Sequence, residues 1–142
     1  MSLYLLDTNV VSEAGNPRPN PRVVEFLRRE RNLCVSVILF EELMFGLERA
    51  PQDRKARLNL FYEGVQTEFG SRALPITLDI ARTSGRLRAH AQNHGRILSA
   101  ADALIAATAM VHGATVVTRN VRDFAGLSVD LLDPFNPNDA SI

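Results

Sequence analysis

Apolar residues in this chain fall into two kinds of stretch. Short, nearly unbroken runs occur at 3–6 (LYLL), 32–37 (NLCVSV), 74–76 (LPI), 114–118 (ATVVT) and 129–132 (VDLL). Runs this short predict buried strands. Between them the apolar positions recur every three or four residues. Val23, Phe26 and Leu27 share one helical face, and so do Leu39, Phe40, Leu43 and Leu47 within 38–49. Leu58, Phe61, Tyr62, Val65 and Phe69 do the same in a third segment. A polar helix over 77–95 is expected to end at Gly95, a residue suited to a helix terminus. The segment 99–113, SAADALIAATAMVHG, is apolar nearly all round and predicts a buried helix. Two shorter helical pieces are expected at about 9–14 and within RNVRDFAG. Strands alternating with helices mean a parallel sheet covered on both faces, built from right-handed βαβ units.

Composition narrows the class. The 142 residues are 46% hydrophobic and 23% charged, which suits one globular domain. No apolar run approaches the roughly 18 residues of a membrane span, and no signal-peptide pattern opens the chain. The single cysteine, Cys34, sits in a strand run and is expected to be a buried thiol, in keeping with a cytoplasmic location. Sixteen basic and sixteen acidic residues give a formal net charge of zero. Nucleic acid would therefore have to be held by a local patch, a metal or a partner, since bulk charge offers nothing.

The chemistry lies in where the acids fall. A parallel sheet brings the carboxyl ends of all its strands to one edge, the usual ligand position in open α/β folds. Asp7 closes the first strand. Glu42 stands about one turn into the helix after the second. Asp102 lies in the first turn of the apolar helix, and Asn120 and Asp123 follow the strand ATVVT. Each has an ordinary alternative. Asp7 or Thr8 could cap the first helix. Ser99 and Asp102 match a capping box. Glu42 could be solvated, as Glu41 and Glu48 are, and Asp123 could serve the turn before Phe124. Together these alternatives weaken, because two like charges about 4 Å apart cost roughly 4 kcal/mol at an effective dielectric near 20. A domain is stable by only about 5–15 kcal/mol. Carboxylates that truly meet must bind a proton or a cation, and oxygen-only ligands favour Mg²⁺ or Mn²⁺. His90 and His94 also stand at a zinc-sharing spacing, but on an exposed polar helix near its end, where a solvated pair is expected.

The segments LLDTNVVSE, SVILFEELMFGLER, GRILSAADALIAATAMVHGATVVTRNVRDF and LLDPF resemble, in order and over Leu3 to Phe135, PIN-domain proteins of the VapC/FitB toxin type. The resemblance implies a three-layer α/β/α domain over 1–135 with a central, mainly parallel sheet of four to five strands, and a short tail at 136–142. It implies a metal-dependent endoribonuclease, the toxin of a type II toxin–antitoxin pair. Asp7, Glu42 and Asp102 would form the acidic core, with Asp7 and Asp102 the most direct ligands of Mg²⁺ or Mn²⁺. Many relatives carry Asp where this chain has Asn120, so Asp123 is expected to fill the fourth position, directly or through water. Asn9, Thr118 and Asn120 would steady carboxylates or water, while Glu13 either joins them or faces solvent. Asp123 or Glu42 would position the attacking water.

RNA phosphates would meet basic residues flanking the acidic edge, and Arg86, Arg96, Arg119 and Arg122 are the candidates. The implied partners are RNA, a cognate antitoxin and a second copy of the chain, with DNA reached only through the antitoxin. Phe45, opposite the apolar face of its helix and among Glu41, Glu48 and Arg49, is the candidate partner contact. Other classes fit less well. A haloacid-dehalogenase-like phosphatase needs a second Asp where Asn9 stands, and a receiver module needs paired acids after the first strand. A PIN nuclease of RNA processing, or a PIN scaffold that binds without cutting, keeps the fold; the intact acidic set argues against the scaffold.

Overall fold

Leu3–Leu6 forms the central strand β1 because Tyr4, Leu5 and Leu6 are buried on alternate faces, which only a sheet covered on both sides provides. The computed structural model describes residues 2–139, so the last three residues of the tail lie outside it. After β1 come α1 (Thr8–Ala14), α2 (Pro21–Arg29), β2 (Leu33–Ser36), α3 (Val37–Arg49), α4 (Gln52–Phe69), β3 (Ala73–Leu74) and α5 (Leu78–Asn93). The chain continues through α6 (Ala100–His112), β4 (Ala114–Val117), α7 (Val121–Phe124) and β5 (Asp130–Leu132). The strands pair in the order β3-β2-β1-β4-β5, and every pairing is parallel. Tyr4 lies opposite Leu33 on one side and Thr115 on the other, and Val117 lies opposite Leu132.

The alternation of side chains divides the core into two layers. Tyr4, Leu6, Val35 and Val117 pack with Val10, Val23, Phe26, Leu39, Val65 and Phe69 of α1 to α4. Leu5, Cys34 and Val116 face the other way, onto Ile105, Ala106 and Ala109 of α6 and Phe124 of α7. The expected three-layer α/β/α arrangement is present, with five strands. Cys34 is the buried thiol expected: its Sγ bonds the Tyr4 carbonyl at 3.4 Å, and burial pushes its pKa up to about 11 against the opposing charge of Arg72.

Local departures from the sequence reading have local causes. The run LPI pairs only as Ala73–Leu74, since Pro75 has no N–H for the ladder. α3 begins at Val37, one residue earlier than its apolar period suggested, because the Ser36 hydroxyl accepts the Ile38 N–H at 3.1 Å and caps it. Glu42 therefore lies in the second turn of α3. α5 stops at Asn93, and Gly95 just beyond takes φ 74°. α6 ends at Gly113 in the left-handed region, as a glycine terminus should.

Candidate active site

The chain crosses from one side of β1 to the other between β2 and β4, so the sheet's topological switch lies at the carboxyl ends of β1 and β4. Asp7 and Thr118 are the first residues beyond those two ends, and both are buried. The Thr118 hydroxyl donates to Asp7 Oδ2 at 2.8 Å, and Asn9 Nδ2 donates to the same oxygen at 3.1 Å. The Thr8 backbone N–H donates to Asp7 Oδ1 at 2.8 Å, which makes Asp7 the N-cap of α1 as well. Three of the roughly four lone-pair positions of this carboxylate are thus occupied, and about one remains. Asn9 also donates to Thr118 Oγ1 at 3.2 Å, and that oxygen accepts the Asn120 N–H at 3.0 Å.

α3 contributes Glu42, whose Oε1 accepts a short hydrogen bond from the Thr8 hydroxyl. α6 contributes Asp102. Its N–H donates to Ser99 Oγ at 3.1 Å, so Ser99 caps the helix. Among the described residues no bond returns from the Asp102 carboxylate to the Ser99 N–H, which a closed capping box requires. α7 contributes Asp123, which is exposed. Asn120 stands at the N-cap position of that turn without a side-chain capping bond.

Electrostatics show that these groups feel one another. Burial raises the Asp7 pKa most; the Thr118, Thr8 and Asn9 hydrogen bonds pull it back, and the charge of Asp123 adds to the rise. Burial likewise raises Glu42, opposed by Thr8 and reinforced by Asp7, Asp102 and Glu41. Burial raises Asp102, opposed by the Ser99 hydroxyl and reinforced by Asp7 and Asp123. No basic residue relieves any of the three. Among the described residues the ion pairs are Arg29–Glu30 and Arg72–Glu68, both away from this edge. Four acids from four elements therefore form one field without a protein counter-charge. No three of these groups close around a single point among the described residues. As they stand, the acids offer a hard cation such as Mg²⁺ one or two direct carboxylates rather than a ready cage.

The remaining candidates separate clearly. Arg96 is committed elsewhere: its guanidinium donates to the carbonyl of Ala125 and, at 3.2 Å, to that of Arg122. It braces the α7 turn that carries Asp123. Arg86, Arg119 and Arg122 are exposed. Arg119 donates its backbone N–H to Asn9 Oδ1 at 3.0 Å. Glu13 turns away from the acids, accepting from Asn16 Nδ2 at 3.0 Å and the Asn20 N–H at 2.8 Å. His90 and His94 are exposed, with ring centroids 4.3 Å apart and His94 Nδ1 2.9 Å from the His90 carbonyl. Thr8 is the site residue that sequence reading undervalued. The signal was a hydroxyl directly after the strand-end carboxylate, but its partner Glu42 lies 34 positions away.

A groove of about 270 Å³ opens beside Thr8 and Glu42, walled by Ser12, Leu43, Leu58 and Phe61. Gly15 leaves room for the Phe61 ring there: a Cβ would stand 2.7 Å from it, and the ring would have to shift. On the outer side of α3, Phe45 is 59% exposed, with the Arg49 guanidinium 5.3 Å from its ring centroid. That matches the outward placement read from the helical period.

Residues 4–128 match the family model described as PIN domain. The chain belongs to the PIN-domain family. Over 139 residues this PIN domain is 33% identical to the VapC ribonuclease Y4jK of Sinorhizobium fredii, covering 95% of this chain and 99% of that protein. It is 34% identical to the toxin FitB of Neisseria gonorrhoeae over 140 residues, 94% of this chain and 99% of FitB. The crystal structure of FitAcB from the same organism superposes with a TM-score of 0.84 at 34% identity, over 94% of this chain and 99% of that one.

Proposed function

We propose that this PIN domain is a Mg²⁺- or Mn²⁺-dependent endoribonuclease that cleaves RNA phosphodiester bonds as the toxin of a toxin–antitoxin pair. The observation that carries the reading is one sheet edge where burial and neighbouring carboxylates raise the pKa values of Asp7, Glu42 and Asp102, with no basic partner. Two relatives, one named a ribonuclease and the other a toxin, support it over nearly the whole chain.

The oxygen-only donor set fits a hard divalent cation. Asp7 and Asp102 would hold it, with Glu42 and Asp123 acting directly or through water. The chemistry such an ion supplies is charge for the scissile phosphate and acidification of the attacking water. The chain's own part is placement. Thr118 and Asn9 fix the Asp7 carboxylate and leave it one free direction. Thr8 fixes Glu42 relative to Asp7, and the braced α7 turn carries Asp123 to the same edge, where either acid can orient a water. Partner binding falls to the exposed side of α3, where Val37, Met44 and Phe45 leave apolar surface bare. The cognate antitoxin and a second copy of the chain are the partners assigned there, with DNA reached through the antitoxin. No helix among the described residues is long and apolar enough to cross a membrane, and the site of action proposed is the cytoplasm, where the RNA is.

The test is cleavage of single-stranded or loop RNA by the purified protein. EDTA should abolish cleavage, excess Mn²⁺ should restore it, and Asp7→Asn should be inactive under both conditions. Full activity in EDTA would refute the metal dependence, and an active Asp7→Asn would refute the site.

A further inference from the structure

Arg119 is fixed at both ends. Its N–H is bonded to Asn9, the residue that also holds Asp7 and Thr118, so its backbone belongs to the acidic edge. Its guanidinium carbon lies 4.6 Å from the centroid of the Phe135 ring. Phe135 is a firm seat: it packs against the core layer of Leu6, Val117 and Leu132, and its N–H donates to Asp133 Oδ1 at 2.9 Å. Asp139 accepts the Asp133 N–H at 3.1 Å and closes the segment on itself. Arg119 is nevertheless exposed, and among the described residues it has no acidic partner. An ordered guanidinium with one face on an aromatic ring and the other toward solvent is a platform for a planar group. In RNA recognition such platforms take unpaired bases.

Resting on the ribonuclease reading, the geometry points to Arg119 as the residue that receives an unpaired base of the substrate beside the acidic edge, on the solvent face of a guanidinium whose other face lies on Phe135. Phe135 is then a positioning residue, acting through the arginine. A neutral protein with an acidic site needs such a contact, since nothing in its bulk charge attracts RNA. A stack also selects for single strands, because a paired base has no free face to offer.

Fluorescence anisotropy in EDTA, with a short labelled single-stranded RNA and the matching duplex, tests this. Arg119→Ala and Arg119→Lys should both weaken single-strand binding roughly tenfold while changing duplex binding little, because lysine keeps the charge but not the plane. Phe135→Leu should lose a smaller part of the affinity, with melting curves confirming that it is folded. Arg54→Ala, on the exposed surface of α4, serves as the control for lost surface charge and should bind like wild type. With Mg²⁺ present, the Arg119 variants should raise KM more than they lower kcat. Wild-type affinity in Arg119→Lys, or equal losses on single strand and duplex, would overturn the stacking role while leaving the nuclease standing. A wild-type protein that neither binds nor cleaves RNA would remove both.

Discussion

Helices α6 and α3 each bring one carboxylate to the same edge, by opposite means. α6 is locked: Ala103 and the run Ile105 to Ala109 are buried, between α5 on one side and the sheet on the other. Asp102 is carried on the first turn of a helix packed along most of its length, with only Met110 and Val111 near its far end leaving large apolar side chains exposed. α3 has a single fully buried residue, Leu39, and leaves Val37, Met44 and Phe45 exposed. Glu42 is aimed mainly by one hydroxyl, that of Thr8. In the function proposed, the packed helix presents Asp102 to the cation, and the half-bare one is the face offered to a partner.

That contrast can be broken by substitution, and the largest effect belongs to Asp102→Asn. Asn retains the size and polarity that the helix start tolerates but supplies no charge for a cation. Cleavage should fall by at least roughly a hundredfold, about 2.7 kcal/mol of transition-state stabilisation, while the metal-free protein melts no lower. An active variant with reduced stability would show that Asp102 is structural.

Packing gives the next effect. Ala106 is fully buried in α6, so Ala106→Leu should cost about 1–3 kcal/mol in denaturant unfolding. Met44→Leu on the exposed side of α3 should stay within about 0.5 kcal/mol. Similar losses at the two positions would erase the distinction between the helices.

Phe45→Ala sharpens the partner side. Its melting temperature should remain close to that of wild type, while affinity for the cognate antitoxin falls at least roughly tenfold, about 1.4 kcal/mol. Unchanged antitoxin affinity together with an unchanged monomer–dimer balance would return the residue to ordinary surface.

The gentlest effect is on pH. Asp7, Glu42 and Asp102 have folded-state pKa values raised above 3.8, 4.5 and 3.8. Their contribution to stability is therefore complete below those ordinary values and is lost as pH rises through the raised ones. In EDTA, the melting advantage of Asp102→Asn over wild type should widen from mildly acidic to neutral pH. A gap that stays constant or narrows would mean that the carboxylates do not share a field.

What the sequence showed of this site follows the range of each signal. Asp7 and Asp102 were legible because a strand end and a helix start are local patterns, and parallel topology alone sends both to one edge. The outward face of Phe45 followed from a period of 3.6 residues. The bond from Thr8 to Glu42 was not legible, since it needs the packing of α3 beside α1. Arg96 looked like a phosphate contact because a charge beside an acidic motif says nothing of the carbonyls it will meet; those of Arg122 and Ala125 come from a turn more than 20 residues on. The seat of Arg119 on Phe135 likewise depends on β4 pairing with β5, a register that no local run of residues specifies.

A divalent cation bound among these carboxylates, as proposed, should stabilise the fold that already holds them at one edge. Thermal melting of the wild-type protein at neutral pH, in EDTA and then in rising Mn²⁺, measures this without RNA or an antitoxin. The midpoint should climb with Mn²⁺ by the linkage of binding to folding, and the double variant Asp7→Asn, Asp102→Asn should not respond. A wild-type midpoint indifferent to Mn²⁺, or an equal rise in the double variant, would contradict the account.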